Sequence, residues 1–411
     1  MSIDVSVNPE KSVVEADSCL RYTLLYVCWV TWFWNFSFRL IVPALLPSIQ
    51  ALLSLSHGLA GLLVGAFSLG FTLTAYPAGV LSKRFGLKRL VCVGMIVTVF
   101  SMLLFSFPQS YLAMLLLISL AGAGLGVYLP LGLSLLSEYY PPSRRGIILG
   151  VHETAAPLGQ TVGPIFTGLT IMALGWAGVV RLWLVFAVVP LIAFSALIRE
   201  DIGHRGFTVP ERLEVEGRMP LGLLIAVLAV STCIWSMSIG MISMMPVYMV
   251  HNFKLDVIWA AYLLGASRFG GIFGQLAAGF LSDVFGRFKV ISLLMVSSAV
   301  STACFAYAPY GPLFIAALLI QGTLISGFYP VIFATISDHT HPRERGKTLG
   351  LVTSVSGILG TVLTPILIGH LADSYGFNYA FLYPVTLGFI GCILLPYLRR
   401  QLVDRGAEQS R

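Results

Sequence analysis

An all-α polytopic membrane fold, with twelve transmembrane helices in two pseudo-symmetric six-helix bundles, is predicted by the composition, the length of the apolar runs and an internal repeat. Of the 411 residues, 57% are hydrophobic and only 10% are charged, and the mean hydropathy is +0.88. A soluble chain of this length needs more charge to cover its surface. The excess apolar surface therefore indicates contact with a lipid bilayer.

The apolar runs have the length of helices that cross a bilayer. In hydrocarbon every backbone N–H and C=O group must be paired within the protein, which leaves only helices or closed barrels. Barrel strands would alternate apolar and polar residues, whereas these runs stay apolar for about 20 residues. We predict spans over 22–48, 59–81, 90–108, 111–136, 146–172, 178–198, 220–249, 257–281, 289–308, 312–336, 347–371 and 377–398.

A polar stretch over 199–219 separates the two groups of six spans. It contains ten charged or histidine residues between Arg199 and Arg218, and it is too short for a domain of its own. No cleavable signal peptide is expected, because the first 20 residues carry four acidic side chains and no apolar core. The predicted units are a cytoplasmic N-terminal tail (1–21), a first bundle (22–198), a cytoplasmic linker (199–219), a second bundle (220–398) and a cytoplasmic tail (399–411).

Lysine and arginine are concentrated on one predicted side of the membrane. Of the 25 such residues, 21 fall in the two tails, the linker and the loops on the same side as these. Only Arg181 and Lys254 lie in the opposite loops, and Arg39 and Arg268 lie inside spans. The positive-inside rule then predicts a cell-membrane protein with both termini in the cytoplasm. Since topology explains the net charge of +7, no nucleic-acid partner is expected.

The chain partly matches itself after a shift of 200 residues. Two parallel six-helix repeats of this kind, related by an axis along the membrane normal, imply a cleft between them near the midplane. Aligned pairs are Ala78-Gly79 with Ala278-Gly279, Pro130 with Pro330, Arg145-Gly146 with Arg345-Gly346 and, after a one-residue slip, Gly159, Pro164 and Gly168 with Gly360, Pro365 and Gly369.

The loop between the second and third spans carries a motif. Its sequence, Gly79-Val-Leu-Ser-Lys83-Arg84-Phe-Gly86-Leu-Lys88-Arg89, resembles the G-x-x-x-D-R-x-G-R-R signature of the major facilitator superfamily, and Gly279-Phe-Leu-Ser-Asp283-Val-Phe-Gly286-Arg287 is its counterpart. Lys83 stands at the usual Asp position and Val284 at the usual Arg position, so each half keeps part of the charge network. The resemblance implies a secondary transporter whose cytoplasmic gate comprises Gly79, Arg84, Gly86, Gly279, Asp283, Gly286 and Arg287.

The fifth span contains a second pattern. The sequence Gly159-Gln-Thr-Val-Gly163-Pro164-Ile-Phe-Thr167-Gly168 is similar to a stretch of proton-coupled drug antiporters in the same superfamily, with Thr167 in place of one glycine. Small residues at this spacing also let helices pack closely, and proline kinks a helix. We favour the packing interpretation, because such patterns are common in membrane helices, and the antiporter interpretation stays open.

Apart from residues at the span ends, three formal charges lie inside the predicted spans, at Arg39, Glu153 and Arg268. Each costs at least about 2.5–3.5 kcal/mol at a helix centre, so these side chains are expected to face the protein interior and to serve function. Trp32 and Asn35 share the Arg39 face of the first helix. The step from Arg39 to Pro47 resembles the first helix of organic-anion and organophosphate transporters of the superfamily, which implies that Arg39 meets the substrate.

The two arginines come from opposite halves, and two guanidinium groups are suited to binding one anion across a cleft. The alternative is an interior lock in which one or both arginines pair with Glu153, Asn35 or backbone carbonyls. Tyr128 and Gln321 are candidate substrate-binding groups of the cleft, or ordinary interhelical hydrogen bonders.

Glu153 and His152 are candidates for proton coupling. Desolvation disfavours a charged carboxylate whereas a nearby arginine favours it, and a carboxyl under both influences can act as a proton switch. A purely structural hydrogen-bonding role for Glu153 and His152 is the alternative.

These observations predict a secondary active transporter that moves a small organic anion by alternating access, coupled to a proton or another ion. A proton-coupled drug or amphiphile efflux antiporter is the alternative; two arginines against one glutamate favour the anion.

An enzyme is not indicated, because the chain has no HExxH or GxSxG motif. A sensor of this fold would need a soluble output domain. The six scattered cysteines show no CxxC spacing, so neither metal nor cofactor is expected, and the expected state is a monomer in the lipid bilayer.

Overall fold

A computed structural model describes residues 9–107, 110–140, 142–198, 219–340 and 342–409, and within these ranges the secondary structure is helical, with no strands. Eleven stretches of the described chain are long and apolar enough to cross a membrane. The longest, Ile147–Leu197, is two helices joined at Gly175, whose φ of 63° breaks the helical path. Counted this way, the described residues form twelve spanning helices, which confirms the predicted fold class.

The first half contains six helices. Helix α1 is Pro9–Leu53, α2 is His57–Phe85 and α3 is Leu87–Phe105. Helix α4 consists of the segments Tyr111–Gly126 and Tyr128–Tyr139. Helix α5 consists of Pro142–Glu153 and the part of Ala155–Leu197 before Gly175, and α6 is the part after Gly175.

The second half repeats this arrangement with more interruptions. Helix α7 consists of Leu221–Trp235, a π-helical segment Ser236–Gly240 and Met245–Phe253, and α8 of Val257–Phe269 and Gly271–Phe285. Helix α9 is Arg287–Tyr307, and α10 consists of Pro312–Ser326 and Phe328–Asp338. Helix α11 consists of Pro342–Gly357, a π-helical segment Ile358–Val362 and Leu363–Tyr375, and α12 of Phe377–Ala380 and Leu382–Gln409.

The first and last helices extend beyond the limits of the predicted spans. Helix α1 begins at Pro9, inside the predicted N-terminal tail, and α12 continues to Gln409, beyond the predicted end at 398. A hydropathy boundary marks where the apolar run stops, and a helix can continue past it into water. The predicted linker, apart from residue 219, lies outside the described residues.

The π-helical segment of α11 accounts for the one-residue slip in the repeat. Gly150 aligns with Gly350 at a shift of 200, whereas Gly159 aligns with Gly360 at a shift of 201. The second half therefore holds one extra residue near Ile358–Val362, where the wider π turn, with its i→i+5 hydrogen bonds, takes up an additional residue. Positions before this segment keep the shift of 200.

Two faces of the bundle are distinguished by their turns. We call the side with the turns at Gly86 and Gly286 the terminal face, because an even number of spans returns both termini to it. The opposite side, where helices α2, α8 and α12 begin at His57, Val257 and Phe377, is the distal face.

The two halves are in tight contact on the distal side. Helix α2 packs on α11 so closely that a side chain at Gly61 would overlap the Pro365 carbonyl. Helix α5 packs on α8, where a side chain at Gly168 would meet the Tyr262 ring. Toward the terminal face the contact is looser, since a side chain at Gly150 would meet no atom of the described residues within 4 Å and one at Gly350 would lie 3.7 Å from Tyr76 of α2. The space between the halves is therefore wider toward the terminal face.

A carboxylate fastens this distal contact. Asp373, near the distal end of α11, accepts hydrogen bonds from the backbone N–H groups of His57 (2.7 Å) and Gly58 (2.8 Å) at the start of α2. These N–H groups have no acceptor in their own helix, and the positive end of the helix dipole favours the carboxylate. The equivalent helix α8 is capped by its own Asp256, which accepts from the Ile258 N–H at 3.0 Å. Only the first of these caps joins the two halves.

Asp373→Ala is expected to favour opening of the distal face. Loss of the two charge-assisted hydrogen bonds should destabilise the closed state by about 1 kcal/mol, a shift of about fivefold in the ratio of closed to open molecules. Distances between spin labels at the exposed positions Leu112 and Tyr379 should lengthen in part of the population. The matched control is Asp256→Ala, which removes a cap within one half. Equal distance distributions for Asp373→Ala and the wild type would contradict this role.

Candidate functional site

A cavity with an empty volume of about 800 Å³ lies between the two halves. Helices α1, α2, α4 and α5 line it from the first half, and α7, α8, α10 and α11 from the second. The lining residues are Trp32, Phe36, Arg39, Phe71, Thr72, Ala75, Leu129, Glu153, Ala156, Pro157, Gln160, Trp235, Ile239, Gln275, Ser326, Tyr329, Phe333, Thr353 and Thr361.

Arg39 supplies the positive charge of this lining. Its guanidinium carbon lies 4.2 Å from the centre of the Phe71 ring and 5.2 Å from that of Phe36, which are cation–π distances. Among the described residues, Arg39 forms neither a hydrogen bond nor an ion pair. Because the described contacts of this guanidinium are with aromatic rings, its N–H groups have no described acceptor and are available to a planar carboxylate.

Glu153 supplies the negative charge and is joined to a buried hydrogen-bond chain. Its Oε1 lies 3.2 Å from His152 Nδ1, and His152 Nε2 lies 3.1 Å from the Tyr128 hydroxyl. The Tyr128 hydroxyl donates to the Cys28 carbonyl at 2.7 Å. His152 is fully buried and stacks on Trp32, with ring centres 5.7 Å apart. Glu153 and Trp32 reach the cavity, while Tyr128 and His152 stand behind its wall.

Arg268 lies outside the cavity lining and is held by its neighbours. Its terminal nitrogen donates to Gln321 Oε1 at 3.0 Å, and its Nε donates to Ser267 Oγ at 3.2 Å. Gln321 in turn donates to the Met237 carbonyl at 2.9 Å, so the pair ties α8 and α10 to α7. Arg268 is 2% exposed and Gln321 is fully buried. This arrangement favours the interior-lock interpretation for Arg268, whereas Arg39 is free of such partners.

Asn35 also serves packing. Its amide nitrogen donates to the Leu125 carbonyl at 2.9 Å, which joins α1 to α4, and the side chain is buried away from the cavity. Of the eight residues proposed for substrate binding and proton coupling, the cavity thus brings together Trp32, Arg39 and Glu153.

The second-half wall was missed by sequence reasoning, although the repeat held the signal. Several pairs of lining residues occupy equivalent positions of the two halves. Arg39 and Glu153 are charged, whereas their equivalents are uncharged, so the charges of the cavity come from the first half. These pairs are Arg39 with Ile239, Ala75 with Gln275, Leu129 with Tyr329, Glu153 with Thr353 and, after the slip, Gln160 with Thr361.

The predicted gate residues form turns and one brace. Gly86 and Gly286 have φ of 84° and 91°, which suits glycine at the two turns. In the second half, Arg287 donates to Asp283, to Ser282 Oγ (2.6 Å) and to Asp338 Oδ2 (3.0 Å). These bonds tie α8, α9 and α10 within that half.

In the first half, the contact that the structure describes for a predicted gate side chain is between a cation and a ring. The exposed Arg84 lies over the Phe85 ring at 5.3 Å. Side chains at Gly79 or Gly279 would meet no atom of the described residues within 4 Å. No described contact of Arg84, Asp283 or Arg287 crosses between the halves in this conformation, and the gating role of these residues stays a prediction.

Two glycines of the fifth-span pattern, Gly159 and Gly163, are packed against α1, and the third, Gly168, is packed against Tyr262 of α8. A side chain at Gly159 would overlap the Phe33 carbonyl, and one at Gly163 would overlap the Ser37 carbonyl. The packing interpretation is thus sufficient for this stretch.

Two six-helix repeats that enclose a central cavity, closed on one side and open toward the other, define a transporter that works by alternating access. The family model of the Major Facilitator Superfamily matches residues 27–276 and 228–410. The chain belongs to this superfamily.

Relatives and solved structures agree with this assignment. The chain is 22% identical to a hexuronate transporter of Bacillus subtilis (strain 168), over 91% of this chain and 93% of the relative. It is 24% identical to an agnestins efflux protein of Paecilomyces divaricatus, over 80% and 75%. The crystal structure of a bacterial homologue of the human lysosomal transporter Spinster, inward-facing and occupied, superimposes with a TM-score of 0.81 at 15% identity, over 93% of this chain and 98% of that chain.

Arg268→Met is expected to lower stability without a direct effect on the cavity. It leaves the buried Gln321 oxygen without its donor, which costs about 1–3 kcal/mol. The thermal midpoint of the purified protein should fall, and a double-mutant cycle with Gln321→Leu should show coupling of similar size. Arg39→Met is the matched control and should keep the wild-type midpoint, because no described hydrogen bond is lost. A larger loss of stability in Arg39→Met than in Arg268→Met would reverse the two roles.

Proposed function

We propose that the protein carries a small organic anion across the membrane and that Arg39 binds its carboxylate. The observation that carries this proposal is the guanidinium group of Arg39 in the cavity without a hydrogen-bond or ion-pair partner among the described residues. An arginine in a membrane span normally has a partner, and a bound anion would supply one. The similarity to a hexuronate transporter supports an anionic substrate.

A drug or amphiphile efflux antiporter is the second candidate, and the similarity to an agnestins efflux protein supports it. A cationic substrate would have to pair with Glu153, which is also in the cavity. Glu153, however, is already bound to His152, whereas Arg39 has no such partner. The balance of free charge therefore favours an anion.

Proton coupling is assigned to Glu153 and His152 on hydrogen-bond grounds. The single Tyr128 proton is directed at the Cys28 carbonyl, so the Tyr128 oxygen accepts from His152 Nε2–H. Nδ1 then contacts the carboxyl of Glu153 favourably only if one proton lies between them, either on the carboxyl or on Nδ1. After loss of that proton a nitrogen lone pair would face a carboxylate. The contact is therefore expected to form when the proton binds and to break when it leaves.

The proposed anion site at Arg39 and the proposed proton site at His152 and Glu153 are connected by aromatic contacts. His152 stacks on Trp32, and Trp32 meets Phe36 edge-on with ring centres 4.6 Å apart. Phe36 lies against the Arg39 guanidinium. A rearrangement of His152 on loss of the proton would thus disturb the wall beside the anion site, which is a physical route for coupling.

The orientation follows from the lysine and arginine distribution. The positive-inside rule places the terminal face in the cytoplasm of the cell, so that the cavity opens inward. A cysteine introduced at residue 210 of the linker should react with an impermeant maleimide only in inverted vesicles. Residue 254, in a loop of the distal face, serves as the control and should react only in intact cells. The opposite pattern would invert the topology.

Arg39→Lys and Arg39→Gln test the anion site. Lysine keeps the charge but loses the planar fork, so binding should weaken by about tenfold, and glutamine should abolish it. In a thermal-shift screen of carboxylates, the ligand should stabilise the wild type according to RT ln(1 + [L]/Kd) and leave Arg39→Gln unchanged. Arg268→Lys is the comparison. An anion that stabilises Arg39→Gln as well as the wild type would refute the assignment.

Glu153→Gln tests proton coupling. Glutamine cannot exchange the proton, so proteoliposomes should lose accumulation driven by a pH gradient but keep exchange of labelled for unlabelled substrate. The control is Gln160→Ala, which changes the same wall of the cavity without altering the His152–Glu153 pair. Accumulation by Glu153→Gln at the wild-type rate would remove Glu153 from the coupling step.

A further inference from the structure

We propose that the cavity takes an amphipathic monoanion, with one carboxylate on a flat apolar body, and selects against polyhydroxylated sugar acids. This inference rests on the proposed role of Arg39 and adds the class of the substrate body. It is carried by the walls of the cavity, by its charge and by the hydrogen-bonding state of its polar groups.

Each wall of the cavity carries three aromatic rings. Trp32, Phe36 and Phe71 come from the first half, and Trp235, Tyr329 and Phe333 from the second. On the second wall, Tyr329 lies 6.3 Å from Trp235 and 6.5 Å from Phe333, measured between ring centres. A flat apolar body placed between these walls would make ring contacts on both sides.

The cavity offers its cationic charge at one point. Arg39 is the basic residue among the lining residues that the structure describes, and Arg268 is bound to Gln321 outside the lining. A second anionic group on the substrate would find no cation and would approach Glu153. The cavity is therefore matched to one negative charge, which disfavours dicarboxylates and phosphate esters.

Several polar groups of the lining are already occupied. The Ser326 hydroxyl donates to the Gly322 carbonyl at 2.9 Å, and that of Thr361 donates to the Gly357 carbonyl at 2.8 Å. The Tyr329 hydroxyl pairs with the Ser238 hydroxyl at 3.1 Å.

The amide and hydroxyl side chains of the lining without a described hydrogen bond are Gln160 and Thr72 in the first half and Gln275 and Thr353 in the second. A sugar acid has a hydroxyl on almost every carbon, and each hydroxyl left without a partner on binding weakens the complex. Four such side chains, divided between two opposite walls, are too few to pair every hydroxyl of such a ligand.

Four probes separate the effect of the ligand's charge on binding from the effect of its apolar body. They are 2-naphthoate, its neutral amide 2-naphthamide, the cation 2-naphthylmethylammonium and the hydrophilic anion D-glucuronate. Binding is measured by calorimetry with the full-length protein in lipid nanodiscs, and empty nanodiscs are used to subtract partitioning into lipid. We expect 2-naphthoate to bind at least about tenfold more tightly than each of the other three. Arg39→Gln should abolish its binding.

A wall variant then tests the aromatic contacts. Phe333→Leu keeps an apolar side chain but removes a ring on the wall opposite Arg39's half, and it should weaken 2-naphthoate by about two- to tenfold. Phe280→Leu is the matched control, because Phe280 is 68% exposed on the outside of the bundle and should leave binding unchanged.

The outcomes distinguish this inference from the proposed function. Tighter binding of D-glucuronate than of 2-naphthoate, lost in Arg39→Gln, would overturn the amphipathic class and keep the anion transporter. Binding of the ammonium probe unaffected by Arg39→Gln, or no binding of either anion, would overturn both. Equal binding of 2-naphthoate by Phe333→Leu and the wild type would also reject the aromatic wall as the basis of selection.

Discussion

Close backbone contact between the two halves, concentrated on the distal side, determines the geometry of the rest of the molecule. Lipid gives helices no hydrophobic reason to associate, so contact depends on tight packing and on polar groups that find partners. Glycine at position 61 lets α2 meet the backbone of α11, and Asp373 completes the α2 helix end across the same junction. Because the halves are joined at one end, the space between them is a cavity with one opening.

Charge within the bundle is divided between binding and structure. Arg268 is held by hydrogen bonds to the uncharged side chains of Ser267 and Gln321, so it is part of the structural framework. The described contacts of Arg39 are with the rings of Phe36 and Phe71, so its N–H groups have no described hydrogen-bond acceptor. Two arginines of the same formal cost in a membrane thus differ in what they can do. The difference lies in whether an amide side chain such as Gln321 is within reach.

The sequence predicted what depends on periodicity and composition. Twelve spans follow from apolar length, and the structure has Trp32, Arg39 and Glu153 in the lining of the central cavity, while their roles stay predictions. The second wall was not predicted, because its lining residues are uncharged and the search for site residues began from charges inside the spans. The Arg268–Gln321 and Asp373–His57 contacts join residues far apart in the chain, so a local sequence pattern does not predict them.

The π-helical segment of α7 gives the two repeats different mechanical characters. Arg39 lies in α1, where Pro43 has no N–H to donate to the Arg39 carbonyl, whereas its equivalent Ile239 lies in the π-helical stretch Ser236–Gly240. A helix bends at lower cost where part of its hydrogen-bond ladder is already open. Each repeat therefore has its own flexure point beside the cavity, a proline in the first and a π turn in the second. The two walls around a cargo would then bend about different points as the cavity changes its access.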